Sequence, residues 1–265
     1  MDDRATIEDD SSGRDDVPDE KKRLHDAYLR MRQGVGVLGA LLPVVVSAGL
    51  ITARAFGWAP GEPTVGVLPS ISDYYHSCMR NLFVGSLCSI ALFLFAYQGY
   101  ERKEDEILSD RVLAIIAGVA ALGVAFFPVA PEEASRGIVH YVHLGSALTL
   151  FVCLILFTTF VFTRRGVRRD PQTGKLDGHT RVYVGCGVAM TGAIAMIGIH
   201  FALGEPPWLA RLDPVFWLEW FALWAFSASW LLKGNWIGFV VRAASKVPAS
   251  GLDRVVARKL GSTSS

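Results

Sequence analysis

Six long stretches of apolar residues, nearly free of charged side chains, constrain this chain more than any other feature. A helix needs about 20 such residues to cross about 30 Å of hydrocarbon, because each residue adds about 1.5 Å. Inside a bilayer the backbone finds no water to bond, so each stretch is predicted to be helical. The sequence therefore predicts an all-α polytopic membrane protein, a bundle of six transmembrane helices over 34–52, 79–97, 112–127, 138–162, 183–203 and 214–232.

Lys and Arg are distributed unevenly among the segments that connect these stretches. On one side of the predicted spans the flanking segments hold seventeen of them, whereas the other side holds only Arg54, Arg80, Arg136 and Arg211. Cytoplasmic segments retain the positive excess. Both termini are therefore predicted to be cytoplasmic, and the side with four arginines is predicted to face outward.

Three regions follow from the same pattern. Residues 1–33 are polar and begin with an acidic run, which predicts a disordered arm. Residues 34–235 form the predicted transmembrane domain. Residues 236–265 are predicted to be a cytoplasmic tail, whose first part is either a short helix on the inner surface or the frayed end of the sixth span.

Composition excludes two other classes of protein. The 26 Lys and Arg balance 25 Asp and Glu without a large basic domain, so nucleic acid is not a predicted partner. The four cysteines are scattered, which argues against a disulfide-stapled secreted domain. The predicted partners are membrane lipid and a lipid or small amphiphilic ligand, and the oligomeric state stays open.

Ionisable residues within the predicted spans share one depth, roughly 5 to 9 Å below the outer helix ends. A charge at the centre of a span costs about 2.5 to 3.5 kcal/mol, so such residues are candidates for function. These residues are His140 and His143 in the fourth span, His200 in the fifth and Glu219 in the sixth.

Two helices are predicted to carry a stripe of charged and imidazole groups at this outer end. Spacings of three, four and seven residues place side chains on one helical face. One stripe holds Asp73, His76 and Arg80 before and within the second span, and the other holds Arg136, His140 and His143. Together with the apolar inner halves of the spans, they predict a cavity that opens outward and is closed inward.

Imidazole and carboxylate groups are the protein ligands of catalytic zinc, which keeps one position open for water. Zinc lowers the pKa of that water to about 7 and so supplies a nucleophile. The sequence thus predicts a zinc-dependent hydrolase acting on a lipid or amphiphile, with Glu219 or Asp73 as general base. The candidate metal ligands are His76, His140, His143 and His200, and the candidate substrate-binding residues are Arg80 and Arg136.

Other interpretations stay open at this stage. Ser70 and Asp73 have the spacing of a capping box, a purely structural motif. The histidines could serve as hydrogen-bonding groups between helices. Two of them, for instance His140 and His200, could ligate haem b in a membrane cytochrome. Finally, the protein could be a non-enzymatic sensor, transporter or assembly factor whose outer Arg and His residues bind an anionic headgroup or small ligand.

Three short runs carry a resemblance to known proteins. Residues 69–76, 79–85 and 97–100 resemble a family of bacterial multi-pass membrane proteins of unknown function, which implies the bacterial inner membrane as location. The spacing of Ser72 and His76 is similar to that in the membrane hydrolase superfamily of alkaline ceramidases and progestin/adiponectin-type receptors. This second resemblance implies a zinc-dependent hydrolase in which Ser72 joins His76 at the site.

Overall fold

Long helices account for most of the chain in the computed structural model. The structure describes residues 16–59, 66–99, 109–131, 136–164, 178–204 and 206–234, and these contain helices but no strand. Six helices have 17 residues or more: α1 (Asp16–Ala55), α2 (Arg80–Ala96), α3 (Asp110–Phe126), α4 (Ile138–Leu156), α5 (Gly178–Ala202) and α6 (Pro214–Lys233). Each of the six predicted apolar stretches thus coincides with one helix.

Four of these helices have segments that are long and apolar enough to cross a membrane, namely Leu29–Ala55, Ile138–Val161, Gly178–Ala202 and Pro214–Lys233. Helices α2 and α3 are shorter, with 17 residues each. At about 1.5 Å per residue they reach about 25 Å, slightly less than a typical hydrocarbon core. The chain is therefore an all-α membrane protein, as its apolar stretches predict.

Helix α1 extends well beyond its apolar part. It begins at Asp16, so residues 16–33, which the sequence places in a disordered arm, are helical, while 1–15 lie outside the described residues. Once the apolar part has formed a helix, each further residue adds a hydrogen bond without a new nucleation cost. The predicted tail at 236–265 also lies outside the described residues.

The six helices form a ring in which each packs against its neighbours in the chain, and α1 closes the ring against α6. Helix α4 continues through a π-helical turn, Phe157–Val161, into Phe162–Arg164. At this turn the buried Thr158 Oγ1 lies 3.1 Å from Ser229 Oγ in α6. The turn thus brings α4 into contact with α6, the helix after its neighbour α5.

The segment 66–77 between α1 and α2, here called the capping segment, lies across one end of the ring. It contains a short 3-10 helix, Ser72–His76, and buries Ile71, Tyr74 and Ser77. The Phe216 N–H donates to the Pro69 carbonyl at 3.0 Å, which fixes the segment to the start of α6. The capping segment therefore lies at the end of the ring at which the sequence predicts a cavity.

Candidate functional site

Three of the predicted metal ligands contact one stretch of backbone, residues 127–130, which directly follows α3. His76 Nε2 lies 2.7 Å from the Val129 carbonyl oxygen. His143 Nδ1 lies 2.6 Å from the Phe127 carbonyl oxygen, and His140 Nδ1 accepts the Ala130 N–H at 3.1 Å. We call this stretch the histidine-bound loop, and the end of the ring where it lies the histidine end.

The hydrogen-bond partners determine which ring nitrogen carries the proton. A carbonyl oxygen only accepts, so His76 Nε2 and His143 Nδ1 must be protonated. The Ala130 N–H only donates, so His140 Nδ1 presents its lone pair, and the neutral ring carries its proton on Nε2. In this conformation His140 has no lone pair left for a metal, whereas His76 Nδ1 and His143 Nε2 each keep one.

The fourth predicted ligand, His200, lies near the end of α5. It is 5% exposed, and its Nδ1 has no hydrogen-bond partner. Its ring packs beside Phe201, with 5.7 Å between ring centroids. Among the residues that the structure describes, no three His, Cys, Asp or Glu side chains are grouped so that they could hold a metal ion.

Asp73, a predicted general base, closes a capping box with Ser70. Its Oδ2 accepts from the Ser70 N–H at 2.9 Å and from the Ser70 hydroxyl at 2.8 Å. The Asp73 N–H donates in return to Ser70 Oγ at 3.2 Å. The spacing of Ser70 and Asp73 therefore does form a capping box. Ser72, the first residue of the 3-10 helix, is half-buried beside it.

Glu219, the other predicted base, also binds backbone. Its Oε2 accepts the Ile71 N–H at 2.7 Å, which links α6 to the capping segment. Asp73 lies within electrostatic range of Glu219 and of His143, so the predicted residues do share one region. Both carboxylates nevertheless bind backbone groups of the capping segment in this arrangement.

The two predicted substrate-binding arginines are exposed at the same end. The Arg80 guanidinium lies over the Tyr75 ring, 4.2 Å from its centroid, and its Nη2 donates to the Tyr75 hydroxyl. A cation above an aromatic face is attracted by the ring quadrupole. Arg136 is exposed immediately before α4. Arg80 is thus oriented by an aromatic side chain of the capping segment.

Two further polar residues at this end were not candidates from the sequence. Arg54, in the last turn of α1, donates from Nη1 to the Gly66 carbonyl at 2.6 Å. Tyr74 is fully buried in the capping segment, and burial raises the pKa of its hydroxyl. The only sequence signal for Arg54 is its position as the first charge after a long apolar stretch, and a tyrosine in a polar run carries no signal.

Comparisons with protein-family models, with curated proteins and with solved structures found no match to this chain. The two resemblances drawn from short sequence runs therefore stay predictions.

Proposed function

We propose that the protein crosses the bacterial inner membrane six times, with both termini in the cytoplasm. The ring of six helices supports this topology, since α2 and α3 are packed in it between longer apolar helices. The concentration of Lys and Arg on one side supports the orientation. In this topology the histidine end faces outward.

We further propose that the protein is a non-enzymatic membrane protein, a sensor, transporter or assembly factor that binds a ligand at its histidine end. The observation that carries this proposal is the attachment of three histidines to the histidine-bound loop. Each of them uses a ring nitrogen to form a hydrogen bond with a backbone group. The nearby carboxylates of Asp73 and Glu219 also accept hydrogen bonds from backbone N–H groups. These side chains thereby hold the histidine-bound loop and the capping segment in place.

Elemental analysis and a visible absorption spectrum of the purified full-length protein test this proposal. We expect less than about 0.1 equivalent of zinc and no Soret band after expression with added haem. A bound haem b would overturn the proposal in favour of a cytochrome. One equivalent of zinc, together with hydrolysis of a lipid ester or amide, would overturn it in favour of an enzyme.

A zinc-dependent hydrolase is the second candidate, and one observation favours it. Histidines that bind metals usually donate their other ring N–H to a carbonyl or carboxylate. His76 and His143 both have a ring nitrogen on a backbone carbonyl and keep a lone pair on the other nitrogen. Under this candidate His76→Ala and His143→Ala would each abolish zinc binding, whereas His179→Ala, at an exposed site at the start of α5, would not.

A further inference from the structure

Arg54 brings a guanidinium group to the histidine end, where only part of it is used. Its Nη1 donates to the Gly66 carbonyl at 2.6 Å and so ties α1 to the capping segment. The Nε and Nη2 atoms are buried and have no hydrogen-bond partner. The negative end of the α1 dipole stabilises the positive charge, but it provides no acceptor for these two nitrogens.

The two nitrogens without a partner form one edge of the planar guanidinium group. The N–H groups on this edge point the same way, at a spacing that matches two oxygens of a phosphate or carboxylate. Buried donors without an acceptor lose their hydration and gain nothing in return. An oxyanion bound at this edge would give both donors an acceptor.

A third donor lies in the segment that Arg54 binds. The Tyr74 side chain is 0% exposed, and its hydroxyl has no hydrogen-bond partner of normal geometry. The Leu68 backbone acts on this hydroxyl, and Leu68 is two residues from Gly66, whose carbonyl binds Arg54. Burial raises its pKa, so the hydroxyl keeps its proton and can donate. Arg54 also acts electrostatically on this hydroxyl, so the two groups lie within electrostatic range of each other.

The depth of the two groups indicates which oxyanion they meet. Phe56 and Trp58 follow Arg54 directly, are 67% and 72% exposed, and stack with 5.0 Å between their ring centroids. Exposed aromatic rings at the end of a membrane helix prefer the headgroup region. In the proposed topology the Arg54 side chain lies at the level of the lipid phosphates.

We propose that Arg54 and Tyr74 form a binding site for a phosphate group, contributed by an anionic phospholipid or by phosphate in solution. The guanidinium edge donates two hydrogen bonds to its oxygens, and the Tyr74 hydroxyl donates a third. This inference goes beyond the proposed function by naming a site and a ligand chemistry. It depends on that function only for the side of the membrane that the site faces.

Titration calorimetry and native mass spectrometry of the full-length protein test this site. Inorganic phosphate is titrated against a chloride reference of equal ionic strength, and bound lipid is compared after incubation with phosphatidylglycerol or phosphatidylcholine. Arg54→Lys keeps the charge but removes the two-pronged edge, Tyr74→Phe removes only the hydroxyl, and Arg211→Lys, at an exposed site of the same end, is the control. We expect each of the first two variants to weaken binding about tenfold or more.

The outcomes separate the two sources of phosphate. Binding of inorganic phosphate that both variants weaken indicates a soluble ligand, and retention of phosphatidylglycerol that both variants abolish indicates a lipid. The site is overturned if neither probe binds, or if Arg211→Lys weakens binding as much as Arg54→Lys. Zinc or haem in the protein would overturn the proposed function, whereas the site is judged by whether Arg54→Lys and Tyr74→Phe weaken binding, so the two failures are distinguishable.

Discussion

The role of each histidine depends on burial and on which ring nitrogen meets the histidine-bound loop. His143 is 2% exposed and His140 is 8% exposed, whereas His76 is exposed. Loss of a hydrogen bond to a buried group leaves its partner without water as a substitute, which costs about 1 to 3 kcal/mol. At an exposed group, water replaces the lost partner.

We therefore expect the free energy of unfolding to fall most in His143→Ala, less in His140→Ala and least in His76→Ala. The first should lose about 2 to 3 kcal/mol and the last about 0.5 kcal/mol. Thermal unfolding of the detergent-solubilised protein measures this order, with His179→Ala as an exposed control. Equal losses in all three variants would contradict a role in holding the loop.

Asp213 precedes Pro214 and occupies the N-cap position of α6, but it does not cap the helix with its side chain. Its backbone is left-handed, with φ 46°, and its carboxylate makes no capping hydrogen bond. Burial raises the pKa of this carboxyl group above its usual value. The folded state therefore binds the proton more tightly than the unfolded state does.

The raised pKa of Asp213 makes the stability of the folded state depend on pH. As pH rises from the unfolded pKa to the folded pKa of Asp213, the folded state loses stability relative to the unfolded state. Asp213→Asn keeps the shape, and Asn tolerates left-handed backbone. We expect it to gain about 0.5 kcal/mol at neutral pH and nothing below the unfolded pKa. Melting temperatures at pH 3 and pH 7.5 check this, and a gain that persists in acid would contradict it.

At the level of elements, the helices approach each other where one of them has a glycine. A Cβ atom added at Gly187 in α5 would lie 2.1 Å from Thr159 Cγ2 in the π-helical turn. Thr159 is β-branched, and its hydroxyl donates to the Ile155 carbonyl at 2.7 Å, so it cannot easily move aside. In the same helix, a Cβ atom at Gly185 would have no neighbour within 4 Å.

These two glycines form a matched pair for a test of helix packing. Gly187→Ala should destabilise the protein by about 1 to 3 kcal/mol because it overpacks the contact between α5 and the π-helical turn. Gly185→Ala should be neutral or stabilising by up to about 1 kcal/mol, because alanine is the better helix former. Unfolding curves in detergent distinguish the two, and equal effects would show that α5 does not pack here.

The elements were predictable from local properties to different degrees. Helices α2 to α6 lie where apolar stretches predict them, because in a bilayer a helix is the only way for such a stretch to satisfy its own backbone. The helical residues 16–33 and the 3-10 helix of the capping segment were not predictable in this way. Their structure depends on an adjoining helix or on contacts to α6.

For the whole molecule, Cys78 provides a test of the proposed orientation. It is exposed beside the capping segment, while Cys88 and Cys186 are half-buried in helices and Cys153 is buried. A membrane-impermeant maleimide should label the protein in cells whose outer membrane has been opened, and Cys78→Ser should abolish this labelling. Labelling that appears only after the inner membrane is also disrupted would place the histidine end in the cytoplasm.

The candidate site was predictable in part at this scale. Asp73, Glu219, His76, His140 and His143 do lie at one end of the ring, because their depths along helices of known length follow from the sequence. The hydrogen-bond partners of these five residues could not be predicted from the sequence. His143 and Glu219 bind backbone of residues 127–130 and of the capping segment, which hydropathy and spacing do not predict.

Hydropathy and the spacing of charged residues are enough to predict that this protein is built of apolar helices, where five of them lie and at which end their ionisable residues gather. Each of these properties depends on hydrophobicity and on hydrogen bonds within one helix, which are local. The packed fold was needed to show that the histidines hold a loop, that Glu219 binds the capping segment and that Arg54 ties α1 to that segment. Such contacts join residues far apart in the chain, and they form only when the ring of helices and its connecting segments pack together.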